Sequence, residues 1–123
     1  MFIDVDFFKK VNDTYGHSVG DMVLKEISSC IRKQIRSTDF LARIGGEEIW
    51  VLLPETTRDI AISVAEKIRS AVEQLRISPV DNVSVSIGVD QVQPDDLEAE
   101  DAVTRADVKL YQAKAQGRNR VVN

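Results

Sequence analysis

Between two strand-like apolar runs, 40–44 (FLARI) and 50–54 (WVLLP), the chain places Gly45-Gly46-Glu47-Glu48-Ile49. Strand, double glycine and strand predict a β-hairpin, with the glycines expected to supply the positive φ angles of a tight turn. The hairpin carries two carboxylates at its tip. Adjacent glutamates at a turn repel each other, which a fold tolerates best where a cation sits nearby. A solvated turn with acidic decoration is the plainer alternative.

The opening run MFIDVDFFKKVND supplies a second acidic cluster. It reads as an apolar strand ending in Asp4 and Asp6, followed by Lys9 and Lys10. Residues two apart on a strand face the same side, so Asp4 and Asp6 are expected to point together. Carboxylates at a strand end, facing an acidic hairpin from elsewhere in the chain, make a hard-oxygen site suited to Mg²⁺, which takes one or two carboxylates plus substrate phosphates. The competing role for Asp6 is the N-cap of the next helix.

Further along, Val23, Ile27, Cys30, Ile31 and Ile35 recur with helical period, predicting a helix from about 17 to 36. The two hairpin strands read as near-continuous apolar segments, the second closed by Pro54. Thr56 and Asp59 have capping-box spacing. The helix they open puts Ile60, Ala61, Val64, Ala65, Ile68, Ala71, Val72 and Leu75 on one face. VSVSIGV alternates as a strand should. A last helix turns Ala99, Ala102, Val103, Ala106, Leu110 and Ala113 inward and ends at Gly117, with RVV as a short final strand. The order β-α-β-β-α-β predicts an α+β, ferredoxin-like domain with an antiparallel central sheet flanked by helices.

With 123 residues the chain is expected to form one domain, 1–123, with a substantial core. Its net charge of -4 argues against a general DNA or RNA binder. No apolar stretch approaches a membrane span and no signal-peptide pattern follows Met1, so no membrane contact by this segment is expected. Cys30 is the single cysteine, which rules out an internal disulfide. A reducing, cytoplasmic location fits these features.

The string DVDFFKKVNDTYGHSVGD, then RIGGEEI, VSIGV and ADVKLYQAKAQGRNRV, resembles the GGDEF domain of diguanylate cyclases, with the motifs in order from Met1 to the last residues. The resemblance implies a fold like the catalytic palm of nucleotide-polymerising enzymes. It also implies a reaction in which a ribose 3′-hydroxyl attacks the α-phosphate of a second GTP, giving cyclic di-GMP and pyrophosphate. By correspondence with the family motif, Asp4 and Glu47 are implied as side-chain ligands of Mg²⁺ (or Mn²⁺), with the Val5 carbonyl completing the shell and Glu48 in a metal or hydroxyl contact. The backbone amides of Phe7 and Phe8, at a helix start, and the charges of Lys9, Lys114 and Arg118 are implied to hold the phosphates. Without the resemblance, Lys114 and Arg118 would be ordinary cations near a helix C-terminus.

Asn12 and Asp21 match the positions that hydrogen-bond guanine; a carboxylate accepts from its N1–H and exocyclic amine, which adenine cannot match. His17 gets no catalytic role, since metals serve the proton chemistry in this family; a structural hydrogen bond at its bend is expected. Arg36 and Asp39 stand where the family carries its RxxD product-inhibition site, and Lys67 stands where some members use an arginine as a secondary contact. Otherwise Arg36 and Asp39 are an exposed ion pair.

Ile49 replaces the usual phenylalanine of the signature. The chain also starts inside its first strand, without the helix that family domains usually carry upstream, so a truncated domain with weak turnover on its own is expected. The resemblance implies a homodimer holding one GTP per copy and an attached sensory domain. The competing function is a catalytically silent module that binds GTP or cyclic di-GMP; a third is an interaction domain with no ligand.

Overall fold

The computed structural model describes residues 1–123. Along the chain run β1 (Phe2–Val5), α1 (Phe8–Tyr15), α2 (His17–Gln34), β2 (Phe40–Arg43), β3 (Glu48–Leu52), α3 (Arg58–Glu73), β4 (Val85–Gly88), α4 (Ala99–Ala115) and β5 (Val121–Val122). The five strands make one sheet in the order β2-β3-β1-β4-β5. β1 lies at its centre, antiparallel to both neighbours, with Ile3 opposite Ile49 on one side and Ile87 on the other. β5 runs parallel to β4, so the sheet is mixed, and four helices flank it in an α+β architecture.

The alternation of β1 decides what each face does. Ile3 and Val5 enter the main core with Ile27 and Ile31 of α2, Ile68 and Val72 of α3, and Ile49, Val85 and Ile87 of the neighbouring strands. Each such side chain contributes about 1.5–3 kcal/mol when fully buried. Phe2 points the other way, into a smaller cluster with Ala106 and Leu110 of α4, edged by Trp50 and Val103. With a period of two, Asp4 and Asp6 therefore belong to the α4 face. Helix α4 approaches that face very closely: a Cβ on Gly88 would lie 2.0 Å from the Ala106 carbonyl oxygen. Only glycine fits there.

Several local expectations shift. Neither Gly45 nor Gly46 adopts positive φ; those glycines are Gly16 and Gly117. The hairpin turn is closed instead by Ile44 N–H donating to the Glu48 carbonyl at 2.9 Å, with the Arg43 guanidinium donating to the carbonyls of Gly45 and Gly46. What Gly45 provides is space, because a Cβ there would sit 3.1 Å from a Glu48 carboxylate oxygen. β2 is the sheet edge: Phe40 and Ile44 are exposed, and Leu41 packs partly buried against the main core.

Helix α2 ends at Gln34, two residues early, and α3 is capped by Thr57, whose hydroxyl accepts from Ile60 N–H, rather than by Thr56. Ile60 and Ala99, at the first turns of their helices, are exposed rather than inward. Helix α4 ends at Ala115 with Gln116 as its C-cap, and Gly117 stands one residue beyond at positive φ: Gly117 N–H donates to the Lys114 carbonyl and Arg118 N–H to the Ala113 carbonyl, the paired bonds of a left-handed helix stop.

Candidate active site

One end of the sheet collects the acidic residues. The register sets Asp4 opposite Glu48, and Val5 N–H donates to the Glu47 carbonyl at 3.2 Å, so the hairpin tip and the end of β1 are neighbours. Asp4, Val5, Phe7, Phe8, Lys9, Glu47, Lys114 and Arg118 line a single cavity of about 440 Å³. Glu48 is half-buried beside it rather than in its lining. An adjoining depression of about 570 Å³ holds neither Asp4 nor Glu47.

Burial pushes the Asp4 carboxyl up to about 6, and the charges of Glu47 and Glu48 push the same way; Lys114, whose Nζ is 3.0 Å from Asp4 Oδ2, pulls it back only in part. The carboxylate is thus short of positive charge. Asp6, two residues on, is met by three neutral donors. It accepts from the hydroxyls of Ser84 at 2.7 Å and Ser86 at 2.6 Å and from Asn119 N–H at 3.0 Å. It does not cap α1, whose first residue is preceded by Phe7 in the left-handed region (φ 55) with no side-chain cap.

That helix start has no side-chain cap, and Phe7 and Phe8 line the cavity beside it, an arrangement that suits an anion. The Arg118 guanidinium lies 4.5 Å from the centre of the exposed Phe7 ring, which holds it at the cavity wall.

The donor set can be tested against a divalent cation. No group of three or more histidine, cysteine, aspartate or glutamate side chains converges into a closed cage. Asp4 and Glu47 supply two hard carboxylates beside a cavity that leaves the remaining positions to water or phosphate. This fits Mg²⁺ or Mn²⁺ and does not fit a structural zinc site.

Other sequence candidates lie elsewhere. Asn12 on α1 packs against Gly20, where a Cβ would sit 1.9 Å from its Oδ1, and Asp21 follows at the surface of α2. Both are outside the lining of the acidic cavity, and Asn12 Oδ1 is buried without a hydrogen-bond partner. His17 is exposed at the start of α2, where no side-chain cap forms, so the structural bond expected of it at this helix end is absent.

Arg36 and Asp39 hold each other. Asp39 is buried, accepts from the Arg36 backbone N–H at 2.7 Å and from its guanidinium at 2.8 Å, and its carboxyl is held below the ordinary range by that guanidinium. Arg36 also donates to the Pro54 carbonyl and the Thr56 hydroxyl, both at 2.9 Å. The pair is not the exposed one of the plainer alternative: the Asp39 side chain is 2% exposed against 57% for Arg36. Only the arginine is therefore open to a ligand. Lys67 lines a shallow groove with Gln34, Ser63 and Glu66 that includes neither Arg36 nor Asp39.

Sequence reasoning missed the Asp6 clamp and the Arg118–Phe7 stack. The first had a visible signal, since Ser84 and Ser86 alternate onto one face of VSVSIGV.

Comparison with known proteins adds an independent line. Residues 1–120 match the model of the family described as diguanylate cyclase, GGDEF domain. The chain is 47% identical over 124 residues to diguanylate cyclase A of Treponema denticola, covering 98% of this chain and 33% of that protein. It superposes with a TM-score of 0.93 on the active GGEEF domain of a diguanylate cyclase from Vibrio cholerae, at 34% identity over 98% of this chain and 78% of that one. The GGDEF domain of DgcB from Caulobacter crescentus, solved in complex with c-di-GMP, gives a TM-score of 0.89 at 34% identity, covering 98% and 74%. This chain spans about a third of the length of the Treponema protein.

Proposed function

This chain belongs to the GGDEF family of diguanylate cyclase domains, and from that premise we propose that residues 1–123 form one such domain, which condenses two GTP into cyclic di-GMP with release of pyrophosphate. The observation that carries this reading is the cavity that joins charge-deficient Asp4 and Glu47 to Lys9, Lys114, Arg118 and the start of α1.

In this reading Asp4, Glu47 and the Val5 carbonyl hold Mg²⁺ or Mn²⁺, which when bound lowers the pKa of the attacking 3′-hydroxyl and neutralises charge at the α-phosphate. Glu48 adds negative potential to the same point. The amides of Phe7 and Phe8 and the side chains of Lys9, Lys114 and Arg118 grip the triphosphate. Lys114 reaches both Asp4 and the cavity, so it serves as the resting partner of the carboxylate and as a phosphate ligand. Asn12, with its unsatisfied Oδ1, and Asp21 select guanine. One chain presents one such cavity, so closing the ring takes two copies face to face, brought together by an attached sensory module.

Arg36 binds the cyclic di-GMP product with its exposed guanidinium, aimed by the buried Asp39, and Lys67 gives a secondary contact.

Incubation with GTP and Mg²⁺, read by chromatography and pyrophosphate release, tests the proposal. Product is expected from the wild type, with formation slowed by on the order of 10²–10³ in Asp4→Asn or Glu47→Gln. Tight GTP binding with no turnover in a protein carrying its natural dimerising partner domain overturns the cyclase assignment in favour of a nucleotide receptor. Arg36→Ala is expected to retain synthesis and to lose inhibition by product.

A further inference from the structure

Three residues outside glycine sit in the left-handed backbone region around the phosphate cavity: Phe7 (φ 55), Arg118 (φ 65) and Asn119 (φ 46). Such conformations are disfavoured for L residues and persist only where surrounding contacts impose them. Asn119 bonds the Asp6 side chain, and the other two are linked to it through the chain and through the Phe7 ring. Phe7 follows Asp6 directly; Asn119 N–H donates to Asp6 Oδ2 at 3.0 Å; and Arg118, the residue between Gly117 and Asn119, stacks on Phe7. Asp6 is itself anchored to β4 through the hydroxyls of Ser84 and Ser86, and its own N–H donates to the Ser84 carbonyl at 2.9 Å. A buried carboxylate with three hydrogen-bond donors thus ties the centre of the sheet to the turn that leaves α4.

We propose that Asp6 is a positioning residue: by fixing the Arg118–Asn119 turn against the sheet, it holds the Arg118 guanidinium over Phe7 and at the wall of the phosphate cavity. The proposal rests on the phosphate-binding reading of Arg118. Asp6 lines the cavity as well, so the rival role is a direct electrostatic one, as a third acid facing the substrate. The two differ in what an amide does in its place. An asparagine can accept from Asn119 N–H and Ser84 through its oxygen and donate to Ser86 through its nitrogen. It keeps the tie and removes the charge.

The test measures affinity for inorganic tripolyphosphate by calorimetry on wild type, Asp6→Ala, Asp6→Asn, Arg118→Ala and the Asp6→Ala/Arg118→Ala pair, with folding followed by circular dichroism. Asp6→Ala is expected to weaken binding about five- to tenfold, the equivalent of one or two hydrogen bonds. Asp6→Asn should stay within about twofold of wild type, and the double variant should bind no worse than Arg118→Ala alone, the signature of residues acting as one unit. Amide exchange should show Asn119 N–H protected in the wild type and in Asp6→Asn, and exposed in Asp6→Ala.

Asparagine binding as poorly as alanine, tighter binding in both, or additive losses from the two sites would each overturn positioning. Should Asp6→Ala fail to fold, Ser84→Ala loosens the same tie and is expected to weaken binding about two- to threefold; unchanged affinity there overturns the idea. If Arg118→Ala binds as well as wild type, the phosphate reading of that arginine falls, and with it this inference.

Discussion

Two buried carboxylates in this molecule, each paired with a basic side chain, behave in opposite ways. At the Arg36–Asp39 corner, a buried carboxylate is met by a planar guanidinium and a backbone N–H, and the acid is held below its ordinary range. At the end of β1, Asp4 is as well buried but is met by one lysine and opposed by two glutamates, and its carboxyl rises to about 6. The first site has solved its electrostatics internally. At the second, burial and two glutamates outweigh one lysine. Stability placed at one corner and strain at the other is the pattern expected when a fold sets residues aside for binding.

The largest way to break this comparison is Asp4→Asn. Turnover should fall by on the order of 10²–10³, the scale of losing a preorganised electrostatic contact at the reacting phosphate. Thermal stability near pH 7.5 should be unchanged or higher, since an ionised group in an unfavourable site has gone. A loss of stability equal to that of other buried polar substitutions would place Asp4 with Asp39 as a structural acid.

Next in size is Asp39→Ala. It strands the Arg36 backbone N–H and the guanidinium fork, and should cost about 1–3 kcal/mol in denaturant unfolding with GTP turnover largely kept. Stability near wild type would remove the contrast.

The pH dependence sharpens it further, because the two acids give slopes of opposite sign. Asp4 holds its proton more tightly folded than unfolded, where its ordinary value is 3.8. In the metal-free protein its contribution therefore falls as pH rises from about 4 to about 6. Asp39 is depressed below 3.8, so its contribution is in place above that value and is lost as pH falls through the folded value. Melting temperatures between pH 4 and 7 should show the Asp4 slope in wild type and lose it in Asp4→Asn. Divalent-ion affinity should likewise weaken about tenfold at one pH unit below the Asp4 value, where about one carboxyl in ten is ionised. The smallest expected effect is that of Lys67→Ala, an exposed cation with no ion pair in the structure: within about ±0.5 kcal/mol on stability, and a shift of less than about twofold in cyclic di-GMP affinity, as for other exposed charges.

Much of this was legible from residue order. The apolar run of β1, the alternation of VSVSIGV and the period-3.6 runs in α2 and α3 made the strands and helices readable, while the meeting of β1 with the hairpin came from the family resemblance. The acidic end followed, because a strand end and a hairpin tip have fixed places once the strands pair. Features that depend on two distant segments touching were hidden. Nothing local in GRNR tells that Asn119 will meet Asp6, or that Arg118 will stack on Phe7. The hairpin glycines misled for a related reason: a double glycine signals conformational freedom, whereas Gly45 is used for the room it leaves beside Glu48. That β2 lies at the sheet edge was also hidden, because apolar composition does not tell an edge strand from a central one.

The central claim is best tested by electron paramagnetic resonance of Mn²⁺ titrated into the protein with GTP present, a readout that needs neither turnover nor a second copy. Protein-bound Mn²⁺ is expected in the wild type, with binding lost in both Asp4→Asn and Glu47→Gln and kept in Asp39→Ala. Equal Mn²⁺ binding by wild type and Asp4→Asn would contradict the assignment of the acidic end of the sheet as the metal and nucleotide site.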